Sequence, residues 1–158
     1  PMTADALAHK LGVGWHAAFG VATAAPAGTW GPQSGIGEEG LAVLSKHPIS
    51  DVHVTELPDA RPLDRRILLS ARVDVRGMPL AVHTTHLHYR LGDGLAREQQ
   101  VVAVDAAVRG YVAAGTHAVH VIGGDFNAAP ETDEIRFKPG YENRRINVTY
   151  LFGRALPG

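Results

Sequence analysis

The sequence predicts an α/β fold of the α+β kind, with mixed β-sheets and helices packed outside them. Three observations predict it. From Gly40 to Asn127 the order reads strand, strand, strand, hairpin, strand, helix, strand. The strand patterns are mainly those of antiparallel neighbours, and one long helical pattern interrupts them. No internal repeat is visible, so solenoids and propellers are set aside.

The 158 residues suffice for one domain with a sizeable core. The hydrophobic share of 45% and the charged share of 20% are those of an ordinary globular protein. Fifteen Lys+Arg against 16 Asp+Glu leave a formal net charge of −1. That balance gives no overall electrostatic case for nucleic acid, although a local basic patch fits within a neutral total. No apolar run approaches the ~18 residues of a membrane span. There is no cysteine, which excludes disulfide frameworks and Cys-zinc sites and leaves the redox compartment unread. No signal peptide is visible. Pro1 precedes Met2, so the natural start is expected upstream. Compartment and oligomeric state are not readable.

Taken in order, Thr3 caps a short helix over Ala4 to Leu11, with Leu7 and Leu11 on one face and Gly12 ending it. Trp15 to Val21 reads as a strand. His16 inside it reads more simply as a packed or surface residue than as a ligand. Ala24 to Glu39 is expected to be a loop punctuated by Pro26, Gly28, Gly31, Pro32, Gly35 and Gly37. Its glycines lack phosphate-loop order, since no Gly-Lys-Ser/Thr follows. Trp30 within it is a binding aromatic or a cap over the core. Gly40 to Ser45 is a compact apolar strand, and Lys46 to Ile49 turns the chain. Val52 to Leu57 alternates as a half-exposed strand, and Pro58 to Asp64 is a loop. Arg65 to Val75 is a long strand, Arg76 to Pro79 a hairpin connection, and Leu80 to Leu87 the returning strand.

That strand ends in Thr84-Thr85-His86-Leu87-His88-Tyr89-Arg90. The period of two puts His86 and His88 on one face. His-x-His invites a metal reading, but the metallo-β-lactamase pattern continues with an Asp where Arg90 stands. For His88 the simpler reading is a polar residue at a strand-to-loop exit. Leu91 to Gly94 is a turn. Leu95 to Ala114 is the long helix, with Val101, Val104, Val108, Tyr111 and Val112 along one side and Gly115 closing it. Its β-branched residues make it weak in isolation, so packing must hold it. Arg97 and Gln100 are most simply solvent-facing. Glu131 to Arg136 begins a short helix after Pro130.

Between the two helices, Ala118 to Ile122 forms a buried strand that Gly123-Gly124 ends. These glycines let the backbone approach a neighbour closely. Asp125 and Asn127 follow at i, i+2. Extended backbone would point both to one side. A carboxylate there can hold a hard cation or orient an attacking water, and the carboxamide can donate to a phosphate oxygen. The same residues also make an ordinary turn.

Four stretches together resemble the endonuclease/exonuclease/phosphatase superfamily, the DNase I-like phosphodiesterases. They are Gly40-Leu41-Ala42-Val43-Leu44-Ser45-Lys46-His47-Pro48-Ile49, Arg66 to His88 with its Thr-His-Leu, Ala96-Arg97-Glu98-Gln99-Gln100, and Gly123-Gly124-Asp125-Phe126-Asn127-Ala128-x-Pro130. The last is the most specific, and the resemblance runs from about Gly35 to Arg136. It implies a four-layer sandwich, two mixed β-sheets face to face with helices outside. It further implies a divalent metal (Mg²⁺, or Mn²⁺ or Ca²⁺) and hydrolysis of a phosphodiester, which makes nuclease activity one expectation. His86 is implied to contact the scissile phosphate or act as general acid. Asp125 is implied to orient the water or help hold metal. Asn127 is implied to hold a phosphate oxygen and, with Asp125, to sit at the metal. Arg90, Arg97 and Lys46 are candidate phosphate contacts.

The resemblance also implies an Asn and a metal-binding Glu on strands expected before the point where this chain starts, and a closing Ser-Asp-His. None is assigned to a residue here, and Glu38 and Glu39 are not promoted to that role. Arg144 to Phe152 looks like a disturbed Arg-Ile-Asp-Tyr-Ile-Phe strand, with Asn147 where the family has Asp. The expectation is therefore a single domain over residues 1–158 lacking its N-terminal strand or strands and its C-terminal catalytic segment. The alternative reading is a catalytically incomplete member that binds a phosphorylated ligand or a protein partner. The substrate could be a small-molecule, lipid or nucleic-acid diester. The near-neutral charge speaks against a tight non-specific DNA binder, and the Thr-His-Leu-His-Tyr run leans toward small or lipid diesters.

Overall fold

The computed structural model describes residues 4–25, 37–58, 65–90, 92–115 and 119–128. Its elements are α1 (Ala4–Leu11), β1 (His16–Ala25), β2 (Gly37–Ser45), β3 (Ile49–Glu56), β4 (Ile67–Val75), β5 (Met78–His86), α2 (Gly94–Ala113) and β6 (Val119–Asp125). β1 and β2 form a two-stranded antiparallel sheet. The second sheet has four strands in the order β3-β4-β5-β6. β3-β4 and β4-β5 are antiparallel, whereas β5-β6 is parallel, with α2 as the connection. Mixed strand direction follows from that single crossover.

Two apolar clusters define the layers. Ala18 and Val43 of the small sheet meet Leu69 and Val73 of β4, with Leu41, Ile49, Val75, Leu80 and Val82 around them. On the other face of β4, Leu68 joins Leu57, Leu87, Ile122 and Phe126 against Val101, Val104 and Val108 of α2. α1 lies against β1 and β2. The order is helix, sheet, sheet, helix, as the resemblance implies. β4 explains its own sequence: both its faces are covered, so it reads as a continuous apolar run rather than an alternating one.

Several boundaries differ from the sequence expectation. β1 and β2 extend toward each other past Ala24 and Glu39, because their ladder continues through a register shift to Ala25↔Gly37. Among the described residues β3 is an edge strand, and it is mostly exposed rather than cleanly alternating. α1 spans the expected residues, but Ala8 is its buried residue and Leu11 is exposed. Val112 of α2 is also exposed. The β4-β5 connection is a two-residue turn, Arg76-Gly77, with both φ angles positive at 56° and 85°. That is the sense of turn that matches strand twist. Thr3, Trp30, Glu131 to Arg136 and Asn147 lie outside the described residues.

The turn at Arg76-Gly77 marks one end of the four-stranded sheet. The other end collects the C-termini of β5 and β6, the start of β4 and the loop that enters α2.

Candidate active site

β5 and β6 run in the same direction, and His86 is the register partner of Asp125. Register alone brings the last residue of each strand side by side. The His86 Nε2 and an Asp125 carboxylate oxygen stand 3.8 Å apart, and both side chains are reachable from solvent. That gap is too long for a direct hydrogen bond and suits a shared atom of water or ligand.

Gly124 makes this pairing possible. Its φ is 138°, and a Cβ there would stand 1.9 Å from the Thr85 carbonyl oxygen. The close approach expected of the Gly-Gly pair is therefore to the backbone of β5. The glycines do not end the strand, however: β6 continues through them to Asp125.

Beyond Asp125 the extended geometry stops. Phe126 is buried in the α2 cluster, and Asn127 takes a left-handed φ of 48°. The Asn127 backbone N–H donates to Asp125 Oδ1 at 2.9 Å, an Asx turn. The turn that the sequence offered as the simpler reading is therefore present, and it fixes the carboxylate. Asn127 does not share a face with Asp125 by strand period. Its Nδ2 donates instead to the Leu87 carbonyl at 2.9 Å, while the Leu87 N–H donates to the Asp125 carbonyl. The two strand ends are laced through Leu87, the residue after His86. One amide hydrogen and the Oδ1 of Asn127 remain for other partners.

A second set of bonds holds the loop that follows. His88 is fully buried. Its N–H donates to Gln100 Oε1 at 2.9 Å, and its Nε2 lies 2.8 Å from Asp93 Oδ2. Gln100 Nε2 donates to the Pro58 carbonyl, and Arg97 Nη1 donates to the Arg90 carbonyl at 2.5 Å. The solvent-facing expectation for Arg97 and Gln100 is overturned: their exposures are 4% and 0%. They turn inward because loop carbonyls and an N–H left over at the sheet end need partners. A residue-type reading sees a charged and a polar helix position. The partners belong to loops distant in sequence, so the signal was only the Arg-x-x-Gln spacing. Asp93, in the turn before α2, was likewise missed.

Arg90 stands on the rim of the site, its guanidinium 5.7 Å from the Tyr89 ring centre. Lys46 is placed elsewhere. It leads into β3, whose first residue pairs with Val73 near the Arg76-Gly77 end, and its ammonium sits over Trp15. Through Val73, Ile49 is level with Leu80, six residues of strand or on the order of 20 Å before His86, so Lys46 belongs to the far end of the sheet.

For a metal, Asp125 offers a half-bonded carboxylate and Asn127 a carbonyl oxygen. Both are hard donors suited to Mg²⁺, which binds through one or two carboxylates and keeps several waters. Among the described residues no group of three or more His, Cys, Asp or Glu side chains could hold a metal. The pair fits as part of a coordination sphere.

The fold is a mixed α/β/β/α sandwich with an Asp, an Asn and a His at the paired strand ends. The model of the Endonuclease/Exonuclease/phosphatase family matches residues 3–155, and the chain belongs to that family. No curated protein sequence matches it. Solved structures do. The human Nocturnin catalytic domain with bound sulfate anion is 17% identical, covers 82% of this chain and 48% of its own, and superposes with a TM-score of 0.65. Truncated TDP2 of Caenorhabditis elegans is 18% identical over 84% of this chain and 47% of its own, with a TM-score of 0.60. Sphingomyelinase C of Streptomyces griseocarneus is 24% identical over 61% of this chain and 36% of its own, with a TM-score of 0.51. The chain spans about half the length of the first two. Among the described residues no helix is long and apolar enough to cross a membrane.

Proposed function

We propose that the chain carries the phosphate-handling half of a divalent-metal-dependent phosphodiesterase, Mg²⁺ being the first candidate. The observation that carries this reading is the His86–Asp125 register pair, 3.8 Å apart and open to solvent, with Asn127 tied to both strand ends. In hydrolysis, water attacks phosphorus, the P–O bond to the leaving alcohol breaks, and that oxygen takes a proton. His86 Nε2 is placed to hydrogen-bond a non-bridging oxygen or to give the leaving oxygen its proton. The Asp125 carboxylate orients the water from the other side. The free amide hydrogen of Asn127 donates to a phosphate oxygen, and Arg90 adds positive charge at the rim. A bound divalent ion, held in part by Asp125 and Asn127, would neutralise phosphate charge. Its remaining ligands and the base that deprotonates water are assigned to no described residue. Small-molecule, lipid and nucleic-acid diesters all remain within the reaction class.

The test is hydrolysis of an aryl phosphodiester with Mg²⁺ and with chelator, using the 158-residue chain beside the full natural reading frame. Metal-dependent turnover that Asp125→Asn lowers by about 10²–10⁴-fold supports the reading. An active Asp125→Asn variant overturns the role of that residue. His86→Ala should lower turnover more than metal affinity, and equal losses would make His86 a ligand instead. The sparse metal donor set among the described residues favours one second reading, a module that binds a phosphorylated ligand without cleaving it. Binding without turnover by the full reading frame, across a panel of diesters, would establish that.

A further inference from the structure

The end of the molecule away from His86 has a surface of its own. Three connections meet there: α1 to β1, β2 to β3, and the Arg76-Gly77 turn. β1 starts where β2 ends, His16 being the register partner of Ser45. The Asp74 N–H donates to the Pro48 carbonyl, which ties the β2–β3 connection to the end of β4. The Lys46 ammonium lies over the Trp15 ring, 5.6 Å from its centre, which ties it to the α1–β1 connection. The last turn of α1, the small sheet and the large sheet therefore present their ends side by side.

Val13 is the residue that packing does not explain. It stands between Gly12 and Gly14, whose φ angles of 105° and 89° only glycine adopts readily. Its side chain is 107% exposed, so it buries no apolar area and adds nothing to the core. Leu11 before it is exposed too, and Met78, beside the Arg76-Gly77 turn, is 62% exposed. The charges around these side chains are basic. Lys10, Lys46 and Arg76 are exposed, and none of them makes an ion pair among the described residues. The acidic residues nearest these connections already have partners. Asp51 stands 3.9 Å from Arg72, and the Asp74 carboxylate accepts from the Gly77 N–H. A chain of net charge −1 thus gathers uncompensated cations at one end, among its exposed aliphatic side chains.

We infer that this end is a peripheral docking surface for an anionic lipid bilayer: Leu11, Val13 and Met78 enter the headgroup boundary while Lys10, Lys46 and Arg76 meet the lipid anions. Apolar tips ringed by lysine and arginine are the pattern of binding in the interface plane. Trp15, with Lys46 over its ring, supplies an aromatic of the kind that settles at headgroup level. Charge speaks against a second copy as the occupant, since a two-fold contact would set Lys10, Lys46 and Arg76 against the same three residues. A nucleic-acid contact would use the cations and leave Val13, Leu11 and Met78 in water. The orientation follows from β5. His86 lies eight residues beyond Met78, about 26 Å from the docked end. The His86–Asp125 pair would then face the solution, out of reach of the lipids beneath the chain. The inference stands apart from the phosphodiester reading and is measured without any substrate.

The test is co-sedimentation of the 158-residue chain with phosphatidylcholine vesicles that contain or lack phosphatidylserine. The chain should bind the anionic vesicles more tightly, and added salt should release it. Val13→Ser combined with Met78→Ser should lower the partition coefficient by about ten- to hundred-fold. Lys46→Gln and Arg76→Gln should each lower it about five-fold. Leu95→Ser, in the first turn of α2 at the opposite end, should leave it unchanged. The chain has no cysteine, so single labels are clean. A polarity-sensitive dye on Val13→Cys should brighten when vesicles are added, and the same dye on Leu95→Cys should not. Circular dichroism verifies that each variant is folded. Absence of vesicle binding overturns the inference, as does a Val13→Ser/Met78→Ser variant of unchanged affinity. So does brightening at the Leu95 label instead of the Val13 label, which would dock the site end. So does binding to duplex DNA, or self-association, in place of vesicle binding. A chain that docks but cleaves no diester loses the hydrolase reading and keeps this one.

Discussion

Gly124 bears the tightest constraint among the site residues. Alanine at 124 would drive its Cβ into the Thr85 carbonyl at a φ few side chains adopt. Gly124→Ala should destabilise the chain by at least about 3 kcal/mol or prevent folding. Gly92→Ala, where a Cβ meets nothing within 4 Å, should shift stability by less than about 0.5 kcal/mol. Urea unfolding of the pair checks this. Gln100 gives a second case. Gln100→Leu leaves the His88 N–H and the Pro58 carbonyl without their partner, at about 1–3 kcal/mol for each group. Gln99→Leu, one position along and exposed, should stay within about 0.5 kcal/mol. Local geometry was legible where neighbours in sequence carried the pattern, as in the close approach at Gly124 and the turn at Asp125 and Asn127. They were not legible where the partner is remote. Nothing in the letters of α2 says that Gln100 reaches back to Pro58, and nothing near Lys46 says that it stands toward the Arg76-Gly77 end of the sheet, away from His86.

At the scale of elements, β4 and α2 carry the core. Leu68 is completely buried between the sheet and α2. Leu68→Ala should cost about 2–5 kcal/mol by urea unfolding, whereas Val119→Ala on the exposed end of β6 should cost under about 0.5 kcal/mol. α2 keeps no side chain of its own on its first N–H groups, which agrees with a helix held by packing rather than by caps. Part of that packing is polar. The Ser70 Oγ lies 2.9 Å from His83 Nδ1, His83 Nε2 lies 3.2 Å from His120 Nδ1, and the Tyr111 ring covers His83. Alternation in the sequence marks β5 as a strand but does not reveal that His83 and His120 meet across β5 and β6. The strands themselves were legible because β-branched runs bounded by Gly and Pro have few other fates. Their ends were not, since the β1-β2 ladder continues into residues that read as loop.

Taken whole, the molecule is protected unevenly. Among the described residues β4 is covered on both faces, while β3 and β6 are sheet edges and β1-β2 has a single partner ladder. Amide hydrogen exchange should be slowest in β4 and β5 and fastest in β3 and in the outer amides of β1. Equal protection across all strands would contradict this layering. The four-layer order was legible only through the family resemblance. Periodicity yields strands and a helix, but sheet pairing is set by contacts between distant segments.

The molecule also has two unlike ends. His86 and Asp125 occupy one, and the two-residue turn Arg76-Gly77 closes the other, with open space around Gly77. That makes the turn a natural point of attachment. A flexible graft between Arg76 and Gly77 lengthens a surface loop at small entropic cost and holds the chain on a bead or a fusion partner with the His86–Asp125 end facing outward.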